Sequence, residues 1–335
     1  MADYDVLVTG AAGHLGAALM LALPGLGFKP FGVDILESET TTLVGSISDR
    51  EFVTKVLATS SHFKHIINAA TLHKPHVDSH TKLQFIDTNI SGTIVLLEEA
   101  ARLGDQIQSF LFLSTTSTFG TALSPKPGNP AAWITEDVVP QPKNIYGVTK
   151  VAAEDMCFLV HKQTGLPVLV LRASRFFPED DDDDQRRGAM GGDNLKVLEL
   201  AYRRCDIEDI VSACVCGMNK AKQIGWGKYI ISAPPPFVNN ADTLSRLDSD
   251  AASVMKDVIP DIDTVFNKLG WKYLDRLDRV YDSSKAVREL DWKPKYTLAH
   301  VVQRLAAGQD WKSELTDKVG VKGYHATSTG VYTKR

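Results

Sequence analysis

The sequence holds no apolar run approaching the ~18 residues that a membrane-crossing helix needs. It has no basic stripe either, since 37 Lys and Arg face 41 Asp and Glu for a net charge of −4. Neither nucleic acid nor an anionic membrane surface is therefore an expected partner. The opening residues, Met1 to Asp5, are acidic and lack the charged-then-apolar profile of a secretory signal, so a cytoplasmic location is expected. Only four cysteines occur, Cys157, Cys205, Cys214 and Cys216, without CxxC pairing. They are too few for a disulfide scaffold and wrongly spaced for zinc, and they read as reduced structural thiols.

An organised set of metal ligands is also missing. His73, His76 and His80 share helical spacing, but Pro75 interrupts the register and no carboxylate completes the set, which leaves a pocket-rim or surface role. The unbroken run Asp180 to Asp184 lacks the Gly turn about which calcium loops space their ligands, and such runs stay solvated. No metal is expected, and no internal repeat is evident.

What is present is a regular alternation. With 335 residues, 44% of them hydrophobic, the chain can build one large domain or two unequal ones. Val6 to Val8, Pro30 to Val33, His65 to Ile67, Phe110 to Leu113 and Val168 to Leu171 read as buried parallel strands. Helical stretches such as His14 to Leu23 and Thr81 to Leu103 lie between them. This predicts an α/β fold with a doubly wound parallel sheet. Past Arg172 the pattern loosens into the acidic run, the Gly-rich stretch Gly188 to Gly192 and the prolines Pro234 to Pro236. The expected division is a sheet-forming domain over 1–178, its sheet completed by later segments, and a smaller, partly interleaved lobe over 179–335.

The segment Thr9 to Gly16 follows the first strand and opens the first helix. In it Gly10 allows a tight turn, Gly13 a close approach of backbone to phosphate, and Gly16 tight helix packing. Unpaired N–H groups at the helix start attract an anion, so Ala12, His14 and Leu15 are expected beside the glycines at a bound pyrophosphate. Asp34 at the end of the second strand is placed to accept from the adenine ribose hydroxyls. A 2′-phosphate would meet its charge, and Ile35-Leu36 offers no arginine, so NAD is expected rather than NADP.

A Tyr and a Lys one helical turn apart make a phenol that can act as a base, and the chain has two such pairs, Tyr146/Lys150 and Tyr281/Lys285. Position separates them. Tyr146 lies between the fourth and fifth predicted strands, whose carboxyl ends form the crevice where such sheets bind ligands.

With the glycine loop, Asp34 and Tyr146/Lys150 in this order, the chain resembles the extended short-chain dehydrogenase/reductases, the NAD-dependent epimerase/dehydratase family. The resemblance is close over roughly residues 4 to 178. Ile66 to Leu72 is similar to the family's third-strand segment lining the cofactor, which implies cofactor contacts for Ala69, Ala70, Thr71 and Leu72. Asn89 to Thr93 with Leu96-Leu97 resembles its fourth-helix signature and implies a contact for Asn89, and Ser174 is expected in the same set. Asp282 to Ala286 with Glu289 to Trp292 and Pro294 resembles its C-terminal helix, so Tyr281 and Lys285 read as structural. Counting back from Gly120 through the hydroxyl-rich loop places the family's catalytic Thr at Thr115. Ser46 stands where an aspartate usually contacts the adenine, while Ile47 remains able to pack on the ring.

The family chemistry implies Tyr146 as base, Lys150 lowering its pKa and binding the nicotinamide ribose, and Thr115 holding the substrate oxygen. Family dehydratases carry Asp-Glu after the catalytic Thr, and the decarboxylases carry Glu two positions on. Here Thr116 and Ser117 occupy those places, so neither elimination route is served, and both hydroxyls are candidate substrate contacts. The implied activity is epimerisation through a transient keto intermediate, similar to sugar-nucleotide 4-epimerases. The alternative is an NAD-dependent dehydrogenase or ketoreductase of a non-nucleotide secondary alcohol, and a third reading is an NAD-sensing protein without catalysis. The arginine expected to grip a substrate pyrophosphate falls on Tyr273, with Arg276 or Arg279 as substitutes and Asn194 as a further phosphate contact. Helices Thr81 to Leu103 and Asn144 to Thr164 resemble the pair through which the family forms homodimers.

Overall fold

In the computed structural model, residues 3–179 and 184–322 are described; most of the acidic run, residues 180–183, lies outside them. Seven parallel strands make the central sheet: β1 Val6–Thr9, β2 Pro30–Asp34, β3 Leu43–Val44, β4 His65–Asn68, β5 Ser109–Thr115, β6 Val168–Ala173 and β7 Trp226–Ile231. Their spatial order is β7-β6-β5-β4-β1-β2-β3. The order reverses direction between β1 and β4, and it is at this switch point, beyond the strands' carboxyl ends, that a crevice opens.

The five predicted strands are all present, each extended by one to three residues. β1, β4, β5 and β6 are buried along their whole length, which accounts for near-continuous apolar sequence in place of polar alternation. Alternate side chains serve opposite faces. Val6, Val8, Leu111, Leu113, Leu169 and Leu171 pack with helices α1 (His14–Ala22) and Ile207–Ile224. Leu7, Phe110, Phe112, Val168 and Val170 pack on the other side, against α2 (Arg50–Leu57), α3 (Gly92–Arg102) and α4 (Ile145–Thr164). The edge strand β7 comes from the second half of the chain and pairs with β6 from Trp226↔Val168 to Ile231↔Ala173.

A separate apolar cluster, including Phe177, Tyr202, Phe237, Phe266, Tyr296 and Trp311, forms the core of the smaller lobe. A two-stranded pairing, Ala132–Ile134 with Arg279–Tyr281, joins this lobe to the loops above the sheet.

Two expected helices have instructive ends. α4 starts where the Asn144 side chain accepts from the Gly147 N–H at 3.1 Å and stops at Gly165, whose φ of 77° suits glycine. The expected helix Thr81 to Leu103 is instead three pieces: Lys82–Ile86, a π-helical turn Asp87–Ser91, and α3. The π turn carries Asn89, and its widened backbone turns that amide toward the segment after β4.

Candidate functional site

A cavity of about 730 Å³ lies at the switch point, lined by the glycine loop, the ends of β2, β4, β5 and β6, and residues of the smaller lobe. Gly10 has φ +73°, and a Cβ there would sit 2.7 Å from the Ala70 nitrogen. A Cβ on Gly16 would fall 1.9 Å from the Gly10 carbonyl oxygen. Both positions therefore require glycine, and the backbone they expose is open to a diphosphate at the N-terminus of α1. Asp34 holds the loop as well as lining the cavity. Its Oδ2 accepts from the Ala12 N–H at 2.9 Å and its Oδ1 from the Leu36 N–H at 2.9 Å. Ala12, Gly13, His14, Leu15, Ile35, Ser46 and Ile47 line the same end, and Ala69 to Leu72 form the wall between it and the centre. The donors, the glycine cradle and the acid at the end of β2 fit a dinucleotide.

At the centre, Thr115 ends β5, Tyr146 opens α4, and both line the cavity. Burial raises the Tyr146 phenol well above its ordinary range, the Thr115 hydrogen bond opposes this, and the charge of Glu179 adds to it. Lys150, one turn further along α4, is buried at 1% exposure, with its Nζ 4.3 Å from the centroid of the Phe112 ring. That apolar setting lowers its pKa from 10.5 to about 7.

One turn on again, Glu154 is fully buried beneath Lys150. It accepts from Ser114 Oγ at 2.6 Å, from Arg172 Nε at 2.9 Å and Nη2 at 2.7 Å, and from Lys228 Nζ at 3.0 Å. This ion cluster ties the residue preceding Thr115 to the helix that carries Tyr146 and Lys150. The Thr115 hydroxyl also accepts from the Ser117 N–H at 3.1 Å, and Thr116, Ser117 and Ser174 complete this part of the wall.

The second Tyr/Lys pair does not share a helix. Tyr281 ends the short strand Arg279–Tyr281, while Lys285 lies in the helix Ser284–Glu289 and donates to the Lys228 carbonyl at 3.0 Å. Tyr281 nevertheless lines the cavity, its ring stacked on Phe119 at 6.2 Å, a placement that the structural reading of this pair did not foresee.

Three of the expected contact residues, Asn194, Asn89 and Lys150, are not part of the cavity's lining. Asn194 is buried away from the cavity, where its side chain accepts from the Lys272 N–H at 2.8 Å and donates to the Lys272 carbonyl at 3.0 Å. Asn89 is likewise no part of the lining. It accepts from the Leu72 N–H and donates to the Leu72 carbonyl and to Thr149 Oγ1, so it clamps the wall from behind. Of the two candidate arginines, Arg279 lines the cavity while Arg276 is held by Asp248.

Sequence reasoning missed Arg175, Glu179 and Arg203, which line the cavity; Arg175 lies on the short strand Arg175–Phe176, paired with Arg204–Cys205. It placed His73, His76 and His80 at a rim or on the surface; they line the wall beside Tyr146, with the His73 and Tyr146 ring centroids 6.4 Å apart. The cysteines form no disulfide, and burial pushes the Cys214 thiol up to about 12, which suits inert thiols. Among the described residues no helix is long and apolar enough to cross a membrane.

The chain matches the family described as the NAD dependent epimerase/dehydratase family over residues 6–228. An uncharacterized protein of Sinorhizobium fredii, y4nG, is 26% identical over 328 residues, covering 87% of this chain and 75% of that one. UDP-glucose 4-epimerase 4 of Oryza sativa subsp. japonica is 29% identical over 186 residues, 50% of this chain and 48% of the relative, so the match spans about half of that protein. The structure of UDP-glucose 4-epimerase from Thermotoga maritima with UDP-glucose superposes with a TM-score of 0.60 at 20% identity, over 91% of this chain and 99% of that one. UDP-glucuronic acid 4-epimerase from Bacillus cereus, in complex with UDP-glucuronic acid and NAD, gives 0.60 at 19% identity, over 94% and 100%. At these identities the structural likeness speaks for the fold.

Proposed function

The chain belongs to the NAD-dependent epimerase/dehydratase family, and on that premise we propose that it epimerises a sugar-nucleotide hydroxyl through a transient keto sugar. The observation that carries this reading is the meeting of Tyr146 and Thr115 on the wall of one cavity that runs from the glycine loop to a basic far side. Lys74, Lys143, Arg175, Arg203 and Arg279 line it against two acids, Asp34 and Glu179. Arg203 is paired with Glu199 and Arg279 with Asp278, so the far side offers guanidinium N–H donors more than bare charge, and a diphosphate uses such donors where a neutral polyol gains less.

The glycine loop and Asp34 would hold NAD, which supplies a hydride acceptor when bound. Tyr146 takes the proton of the substrate hydroxyl and later returns it, so its phenolate must be favoured at the moment of transfer. A charged Lys150 on the same helix face does this, and Thr115 holds the reacting oxygen in place by donating to it. Thr116 and Ser117 carry no acid or base competent near neutral pH, which supports a sugar that leaves without loss of water or carbon dioxide.

The test is product analysis with UDP-glucose and the protein supplied with NAD. Appearance of the 4-epimer without net NADH supports the proposal. Stoichiometric NADH with an alcohol, and no epimer, would replace it with the dehydrogenase reading.

A homodimer built on α3 and α4 is part of the same proposal. Leu83 and Ile86, on the segment leading into α3, and Val148, Phe158 and Leu159 on α4 are exposed large apolar side chains that a four-helix contact would cover. Sedimentation at low concentration tests this, and a monomer would remove it.

A further inference from the structure

The cofactor end of the cavity is reached by a segment from late in the sequence. The helix Glu314–Val319 is pinned at its start by one carboxylate. Asp206, which caps the helix Ile207–Ile224, accepts from the Ser313 N–H at 3.0 Å, from Ser313 Oγ at 2.6 Å and from Thr316 Oγ1 at 3.2 Å. Asp206 is buried, so these donors stand in for water. Val319, at the other end of the helix, packs in the apolar cluster that holds Leu15, Ala18 and Leu19 of α1. Gly320 then turns the chain at φ +63°, a conformation that suits glycine. Two residues on, the Lys322 N–H donates to His14 Nε2 at 2.8 Å.

His14 is the first residue of α1 and lines the cavity. Burial, and after it the charge of Lys322, lower its pKa from 6.5 to about 4, so the ring is neutral and accepts that N–H. From Thr9 to Ala22 the glycine loop and α1 contain no Lys or Arg. The carboxylates of Asp34 and Glu179 also line the cavity, and Glu179 Oε1 lies 3.7 Å from His14 Nδ1. Backbone N–H groups and the helix dipole offer only partial positive charge, whereas a dinucleotide brings a full negative charge on each phosphate.

We propose that Lys322 is a cofactor-binding residue, brought to the start of α1 by its main-chain bond to His14 so that its ammonium balances the charge of the bound diphosphate. The placing is done by the main chain and the binding by the side chain, so substitution separates the two. Lys322 is half-buried, and a contact between ammonium and phosphate at such a position is a charge-assisted hydrogen bond, the stronger kind. The inference concerns the cofactor alone and holds whichever hydroxyl the protein oxidises.

The experiment measures the dissociation constant of NAD by titration calorimetry on the full chain, at low and at physiological ionic strength. Lys322→Met keeps the main-chain N–H and the apolar stem but removes the charge, and it should weaken NAD binding by about tenfold at low salt. Lys322→Arg keeps the charge and should stay within about threefold of the parent. Lys318→Met removes the same charge one turn earlier, from a side chain paired with Glu314, and should also stay within about threefold. Added salt should narrow the gap between the parent and Lys322→Met, because salt screens a charge contact and leaves a packing contact alone.

An unchanged dissociation constant for Lys322→Met overturns the inference. So does an equal loss in Lys322→Arg, which would leave the side chain a packing role only, and an equal loss in Lys318→Met, which would trace the effect to net charge. A gap that salt leaves untouched overturns it as well. All of these outcomes are read without turnover, so the epimerase reading stands or falls on product analysis alone.

Discussion

Tyr146 and Lys150 lie one turn apart on α4, and burial moves their protons in opposite directions: the phenol holds its proton more tightly, and the ammonium gives its up near pH 7. The pair therefore rests close to neutral. Charging Lys150 below pH 7 therefore carries a burial cost in the folded protein.

Replacing Lys150 by Met should remove activity and raise stability below pH 7. The unfolded lysine titrates near 10.5 and the folded one near 7. Below pH 7 both states are charged and the folded state bears the full burial cost, no more than about 5 kcal/mol at 1.36 kcal/mol per unit. Between 7 and 10.5 the folded lysine sheds a proton that the unfolded one keeps, so that cost fades. Urea unfolding at pH 6 and pH 9.5 should show the variant's advantage shrinking as pH rises; a constant advantage would place the charge elsewhere.

Tyr146→Phe should lower kcat by about 10² to 10⁴, the usual range for loss of a general base, with little change in KM. Thr115→Val should cost less, because it removes one hydrogen bond to the reacting oxygen and leaves the proton acceptor in place. If Thr115→Val proved the more damaging, the roles assigned to the two residues would be reversed.

Asp34→Asn should narrow the preference for NAD over NADP. The amide keeps one acceptor oxygen, for either the Ala12 or the Leu36 N–H, so the loop loses one of the two bonds to this side chain, while the charge that opposes a 2′-phosphate is gone. The ratio of the two dissociation constants should fall about tenfold or more, read by titration of each cofactor. An unchanged ratio would mean that Asp34 serves the loop alone.

Glu154→Gln should destabilise the fold by about 3–5 kcal/mol, since the nearly inaccessible Arg172 would lose its counter-charge. Replacing Glu154 and Arg172 together by Leu and Met should recover part of that loss. Equilibrium unfolding of the two variants measures both effects, and a double variant as unstable as the single one would argue against an uncompensated charge.

The strands were legible because a strand buried on both faces is written as a short apolar run, as in Phe110 to Leu113. β7 was not, because Gly227 and Lys228 interrupt its apolar pattern and its partner β6 is some 58 residues earlier by register, Trp226 against Val168. The two residues of β3 are too few to carry a pattern at all.

The site shows the same division. The glycine loop, Asp34 and Tyr146/Lys150 are local motifs whose geometry follows from one turn or one helix. Asn89 and Asn194 could not be placed, because their amides satisfy backbone groups at Leu72 and Lys272, 17 and 78 residues away. Tyr281 reaches the cavity through the pairing of its strand with Ala132–Ile134, which no spacing near Tyr281 foretells. His73, His76 and His80 reach the cavity wall around the 3-10 turn Lys74–His76, whose first turn accommodates Pro75.

The most direct measurement of the central claim uses UDP-glucuronate and UDP-glucose deuterated at the 4-carbon, with NAD and the parent protein. Return of the deuterium to the 4-carbon of the inverted sugar, with none in free NADH or solvent, is the predicted result. Deuterium lost to solvent, or accumulated in released NADH, would contradict epimerisation through a keto sugar held beside Tyr146.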